Sequence, residues 1–322
     1  MAPMHPTPIN NIALNTMKKI ALLISDNLLP NVEGGRPDRF ELVEEVGKLK
    51  PALAAQGMEL SKVRWREIAG RAGEFDGILP LMVWDYFEGN EEAFLVAIAE
   101  AERVTPVFND FDTLKWNADK SYLDELKDRG APVIRTTAVD FVTQSNVARA
   151  LEELETDTLV IKPRVGGGAW RQVLYRQGDP FPEPTELPPE GALLQAFLPS
   201  VKEEGEYSFL YFGGRFSHAV RKTPKAGDYR IQSMYGGHEE TYVPIEAEQE
   251  TARSVLDILD ELPLYARVDL LRGRDGQLKL IELEMIEPYL YLPHAPGEAG
   301  ENEGAKNFAK ALKTRLEKVK FK

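Results

Sequence analysis

The stretch Tyr265-Ala266-Arg267-Val268-Asp269-Leu270-Leu271 and, after a short connector, Leu278-Lys279-Leu280-Ile281-Glu282-Leu283-Glu284-Met285-Ile286-Glu287-Pro288 constrain this chain most. Both runs alternate with period 2, as strands do when their two faces meet different surroundings. The connector holds Asp275-Gly276, a dipeptide favoured in two-residue hairpin turns, so Arg274 is expected to pair with Gln277. That register sets Asp269 opposite Glu282 and Arg267 opposite Glu284. One face then carries Arg267, Asp269, Glu282 and Glu284, and the other Ala266, Val268, Ile281, Leu283 and Met285. Like charges directly opposite each other destabilise a sheet, so the carboxylates call for a cation between them. With no Cys and only four His in the chain, hard oxygen ligands favour Mg²⁺ or Mn²⁺ over Zn²⁺. A solvated polar face on an edge hairpin would read the same way.

A chain of 322 residues exceeds the usual size of a single core, so two or three subdomains are expected. The net charge of −13 argues against a nucleic-acid partner, which needs a basic surface. No apolar run is long enough to span a bilayer, so no membrane partner is expected. The lack of Cys excludes thiolate chemistry and fits a cytoplasmic setting. Residues 1–16, polar and proline-containing, read as a disordered extension, with Met17 as the start of the folded chain.

From Lys19 the pattern predicts strands at Lys19–Ile24, Leu60–Trp65, Gly77–Val83 and Pro106–Phe108, with helices over Asp38–Gln56 and Glu91–Val104. This is a small α/β domain over 17–111 with a parallel sheet. One helix is expected over Thr113–Arg129 and another over Asn146–Leu154, with strands at Pro132–Arg135 and Leu159–Lys162. Lys162-Pro163-Arg164-Val165 then runs into Gly166-Gly167-Gly168, whose free N–H groups suit an anion. Further strands are expected at Leu193–Leu198, Tyr207–Phe212 and Arg215–Lys222, then a loop over Lys225–Gly237. Helices are expected over Gln249–Glu261 and from about Ala305.

Arg-Val-Asp followed by Glu-x-Glu at the end of the next strand resembles the metal-binding end of the ATP-grasp ligases, and the glutathione-synthetase-like carboxylate ligases among them. The resemblance implies a fold in which an α/β substrate domain precedes an α+β ATP-grasp part over 112–322. Its small lid (112–192) and large part (193–322) would clamp ATP. It implies Asp269, Glu282 and Glu284 as ligands of Mg²⁺ or Mn²⁺, although Glu284 stands where the family usually has Asn. Lys120 and Lys162 match the family's phosphate-binding lysines, Gly166, Gly167 and Gly168 its mobile loop, and Gln195, Phe197 and Leu198 its adenine hinge. Glu206 matches the acid for the ribose hydroxyls, with Glu203 and Glu204 as rivals. Arg267, on the charged face of the hairpin, is expected to pair with a carboxylate or phosphoryl oxygen, and Arg230, with Gly236-Gly237 after it, matches the family's arginine near the reacting phosphoryl group. These positions follow the family's order from about Asp112 to Pro293. The activity implied joins a small-molecule carboxylate, activated by ATP as an acyl-phosphate, to an amine-type or thiol nucleophile. A homodimer is compatible with it. Glu-Gly-Glu-Tyr-Ser-Phe, Phe-Gly-Gly-Arg-Phe-Ser-His-Ala-Val-Arg-Lys and Ile-Glu-Leu-Glu-Met-Ile-Glu-Pro look like the branch containing the cycloserine-forming cyclo-ligase. A phosphotransferase that stops at phosphorylation, or a non-catalytic ATP-binding module, are the alternatives.

Overall fold

A computed structural model describes residues 17–319 apart from 31, 34 and 296. The extension expected over 1–16 lies outside the described residues.

The first sheet is parallel, in the order β2-β1-β3, with β1 at Lys18–Ile24, β2 at Met58–Arg64 and β3 at Gly77–Met82. The apolar run of β1 is buried on both faces, as a parallel sheet requires. Ile20 and Leu22 pack with Leu42, Leu49 and Leu53 of the helix Phe40–Ala54. Ala21 and Leu23 pack with Phe94 and Ile98 of the helix Glu91–Glu102. The strand expected at Pro106–Phe108 shrinks to one parallel bridge between Val107 and Ile78 at the sheet edge.

The remaining strands form two antiparallel sheets. Four strands pair in the order β4-β7-β5-β6: β4 is Thr136–Val139, β5 Thr158–Pro163, β6 Val173–Arg176 and β7 Ala192–Ala196. Five pair in the order β10-β9-β8-β11-β12, with β8 at Glu206–Phe212, β9 at Arg215–Thr223 and β10 at His238–Tyr242. In that sheet β11 is Tyr265–Arg272 and β12 Leu278–Glu284. The division expected before residue 193 moves, because Ala192–Ala196 pairs with β4 and β5. Two strands, β6 and β10, were not read from sequence. The segment Pro132–Arg135 is not the expected strand: its backbone is drawn to Leu280, and the strand proper begins at Thr136. The helix Glu303–Lys318 ties the first sheet to the five-stranded one, since Phe308 and Leu312 share a core with Leu22, Phe212 and Tyr265.

The helix expected over Thr113–Arg129 is two, Phe111–Ala118 and Tyr122–Asp128. Asp119 breaks it by accepting the Ser121 N–H at 2.9 Å in place of continued helix. The Lys120 N–H donates instead to the Arg164 carbonyl, at 2.9 Å.

His218 lies under the helix Glu303–Lys318 and is part of the packing. Its Nε2–H donates to the Leu290 carbonyl at 2.9 Å, and its Nδ1 lies 3.0 Å from Ser217 Oγ. Burial pushes its pKa from 6.5 down to about 4. Between those values the unfolded chain takes up a proton that the native imidazole refuses. Stability from this residue is therefore complete above pH 6.5 and is lost on acidification at about 1.4 kcal/mol per pH unit. His218→Gln should flatten that slope between pH 6.5 and 4.5; equal slopes in urea unfolding of both proteins would show the imidazole to be solvated.

Candidate active site

The edge strand β12 is held by side chains along the rim that has no partner strand. Asn117 Nδ2 donates to the Leu283 carbonyl at 2.7 Å and its Oδ1 accepts from the Met285 N–H at 2.8 Å. The Tyr122 hydroxyl both donates to the Leu283 carbonyl and accepts its N–H, each at 2.9 Å. Asn109 closes the other end of the hairpin, donating to the carbonyls of Tyr265 and Met285. An exposed edge is thereby satisfied, and Glu282 and Glu284 stand on a rigid strand.

The turn differs from expectation while the register at the acids does not. The Gly273 N–H donates to the Gln277 carbonyl at 2.7 Å, so the turn is one residue longer than Asp275-Gly276, with Gly276 at φ 76. A one-residue offset between Asp269–Glu282 and Leu270–Leu280 restores the pairing, leaving Ile281 as the extra residue. Asp269 faces Glu282 and Arg267 faces Glu284, as the alternation predicts. Ile281 leaves the back face for the site side, where it joins Ile134, Leu198, Leu271 and Phe197.

The cations between the carboxylates come from the chain. Arg267 Nε lies 3.0 Å from both Asp269 oxygens, and its Nη2 pairs with Glu284. Asp269 also accepts from Ser208 and lies 3.6 Å from Lys222 Nζ, which pairs with Glu206 at 2.5 Å. Glu282 pairs with Lys120 at 3.0 Å. The Lys120 ammonium also donates to the Gly166 carbonyl. Lys162 donates to the Ile281 carbonyl at 3.0 Å and, among the described residues, has no carboxylate partner within ion-pair distance.

These pairings set the electrostatics. Burial pushes Glu284 up to about 8 against the opposing pull of Arg267, with Glu282 and Asp269 adding repulsion. Burial acts the same way on Glu282, but Lys120 and Lys162 overcome it and hold that carboxyl below its usual value. Burial, reinforced by Lys120, lowers the Lys162 ammonium against the attraction of Glu282.

One cleft gathers Lys120, Lys162, Gly166, Gly167, Gly168, Glu206, Arg267, Asp269, Glu282 and Glu284. A Cβ on Gly167 would stand 2.7 Å from the Phe87 ring, so only glycine lets that backbone pass so close. Gln195, Phe197 and Leu198 do not line this cleft. Phe197 and Leu198 belong to an adjoining apolar cluster that shares Ile231 with it, and the Gln195 side chain donates to Thr136 at 3.2 Å. Glu204, a rival to Glu206, is bound to Arg272 away from the cleft.

Arg230 is not brought to the cleft. Its guanidinium pairs with Asp228 at 2.7 Å and lies 3.9 Å from the Tyr235 ring centroid, because Asp228 accepts its N–H and curls the loop back. Lys222 stands in the cleft instead, on the same face of β9 as His218 and Val220. Arg36, Asp38 and Glu41, from the first part of the chain, line the cleft with no motif to mark them, and Glu287 joins them from the Ile-Glu-Leu-Glu-Met-Ile-Glu-Pro run, where no site role is expected of it.

The donor set suits a hard divalent ion, but among the described residues no three acidic or imidazole groups converge as a metal cage. Asp269, Glu282 and Glu284 offer oxygen donors across the hairpin, each paired with a cation of the chain, Asp269 and Glu284 with Arg267 and Glu282 with Lys120, so a metal ion there would compete with those cations. The glycine cradle and the lysines fit a polyphosphate.

Neutralising Glu282 leaves Lys120 and Lys162 close together with one counter-charge fewer. Glu282→Gln should thus lower stability in ligand-free buffer by about 1–3 kcal/mol. Unchanged urea unfolding would mean that this face is a solvated surface.

Residues 20–109 match the family described as the N-terminal domain of the D-cycloserine synthetase DcsG. The cycloserine biosynthesis protein DcsG of Streptomyces lavendulae is 28% identical over 292 residues, covering 83% of this chain and 92% of the relative. The crystal structure of D-cycloserine synthetase DcsG superposes with a TM-score of 0.77 at 24% identity, covering 92% of this chain and 99% of that one. The ATP-grasp ligase PsnB, solved with a phosphomimetic variant of its minimal precursor, Mg and ADP, superposes at 0.59 and 15% identity, over 94% of this chain and all (100%) of that one. The chain thus has the ATP-grasp fold and, within it, resembles the branch that holds the cycloserine synthetase.

Proposed function

We propose that this protein is an ATP-dependent ligase that activates the carboxylate of a small molecule for attack by an amine-type nucleophile. The observation that carries this is Lys162, a buried ammonium with no carboxylate partner among the described residues, set beside three carboxylates and a glycine cradle. A cation buried without its counter-charge is costly unless an anionic ligand supplies one. A related fold solved with Mg and ADP supports a nucleotide as that ligand.

In this proposal the apolar cluster of Phe197, Leu198, Ile231, Leu271 and Ile281 takes the adenine, and Glu206, held by Lys222, takes the ribose hydroxyls. Lys120 and Lys162 take the phosphates. Asp269, Glu282 and Glu284 would hold Mg²⁺, which would neutralise phosphate charge. Arg267, fixed on both sides by Asp269 and Glu284, presents a rigid positive charge where negative charge builds up on the phosphoryl group. The substrate carboxylate oxygen attacks the γ-phosphorus and ADP leaves. The amine then attacks the acyl carbon, phosphate leaves and the amine gives up its proton. The chain's work is to orient the reactants and exclude water, with Gly166–Gly168 over the cleft.

Hydroxylamine added with Mg-ATP and a panel of carboxylates should trap the activated acid as a hydroxamate, matched by ADP. A stable phosphorylated product without hydroxamate would make the protein a phosphotransferase. Lys162→Ala should weaken Mg-ATP binding by about 1–3 kcal/mol in calorimetry. Wild-type affinity in that variant would remove the nucleotide from this cleft.

A further inference from the structure

The helix Phe40–Ala54 is apolar on two opposite sides. Its inner side, with Leu42, Leu49 and Leu53, is buried against the first sheet and the helix Glu303–Lys318. A helix with one buried side is expected to turn charged and polar residues to water on the other. Here the outer side carries Phe40, Val43, Gly47, Pro51 and Ala54, all of them exposed. Phe40 is 49% exposed and Val43 72%. At about 100° per residue the five positions fall within about 80° of one another, so they form one continuous stripe rather than scattered apolar groups.

The stripe is complementary to itself. Its steps of three, four, four and three residues read the same in both directions about Gly47. Two such helices laid antiparallel across a two-fold axis at Gly47 therefore meet position for position. Phe40 then lies against Ala54 of the partner subunit, and the two Gly47 backbones come together. The space outside Gly47 is open, with no atom within 4 Å of where its Cβ would stand. The flanking charges choose the direction. Glu44 and Lys48 lie one turn apart on the same flank of the stripe, both exposed. Among the described residues neither belongs to an ion pair, although one Glu44 oxygen accepts from the Tyr289 hydroxyl at 2.7 Å. Antiparallel packing sets Glu44 beside Lys48 of the partner subunit, and the two-fold axis makes that contact twice. Parallel packing would set like charge beside like and is disfavoured.

We propose that this outer face of the helix Phe40–Ala54 is an interface at which the protein pairs with a second copy of itself, antiparallel and two-fold symmetric. The pairing is independent of the ligase proposal, since none of the residues it uses lines the cleft. A helix of 15 residues is about 22 Å long and about 10 Å across, so the contact is smaller than the about 800 Å² per partner of a standard interface. A dimer in equilibrium with monomer at micromolar concentrations is therefore expected.

Sedimentation velocity between about 0.5 and 200 µM should show the full chain passing from monomer to dimer. Val43→Glu, at a position with little packing to lose, should stay monomeric at about 200 µM with an unchanged melting temperature. Lys48→Glu sets acid beside acid and should weaken the dimer at least about tenfold, and adding Glu44→Lys should restore it to within about threefold. The inference is overturned by a full chain that stays monomeric at about 200 µM, by a dimer that Val43→Glu leaves intact, or by a charge reversal that restores nothing. Dimerisation of a chain beginning at Met17 while the full chain stays monomeric would overturn it too, and would assign the face to residues 1–16.

Discussion

Buried charge is expensive, and the site is built around keeping that charge paired. Arg267, Asp269 and Lys222 are each 7% exposed or less, and all three stand on one face of the five-stranded sheet. Removing any one leaves its partners charged in a poor dielectric, so the strands must keep the register that brings them together. The extra residue at Ile281 shows how firmly that demand is met. The turn would have put the acids out of step by one position, and a one-residue slip sends every side chain to the opposite face. The sheet absorbs the difference before the charged positions are reached.

The same pairing explains the placement of the other elements. Lys120 reaches Glu282 because Asp119 interrupts a helix that would otherwise carry it past the cleft. Lys162 arrives on β5 from the four-stranded sheet and ends on the Ile281 carbonyl, so the extra residue of β12 is also a contact between the two sheets. The first sheet contributes Trp84 and Phe87 and, on the helix Phe40–Ala54, Glu41. Three sheets meet where the charges concentrate, and each supplies a different chemistry: apolar walls with an acid, an unpartnered ammonium, and a carboxylate row.

The strand pattern of the hairpin was legible because period 2 with acids on one face leaves little freedom. The order of the lysines, the glycines and Glu206 added the expected fold. The identity of the balancing cation was not legible, since sequence shows which charges exist but not which approach one another. Facing carboxylates suggested a metal, and the chain answers with Arg267 and Lys120. Arg230 was misplaced for a similar reason: an Asp two residues away captures it, a local contact that motif order does not register. The helix break at Asp119 was missed because its cause is a side chain bonding to the backbone within a sequence of good helix formers. Glu41 has no spacing signature, as it meets Ser233 at the cleft only through the packing of distant segments.

The pairing implies that metal and nucleotide enter together. Asp269, Glu282 and Glu284 are occupied by the chain's own cations, and polyphosphate is the competitor that would draw those cations away. The direct measurement is Mg²⁺ binding by titration calorimetry to the protein alone and to the protein saturated with ATP. A site of paired charges predicts no saturable Mg²⁺ binding below about 10 mM alone, and binding at least about 30-fold tighter once ATP is present. Equal Mg²⁺ affinity with and without ATP would contradict it, because the carboxylates would then be free ligands and the cations beside them bystanders.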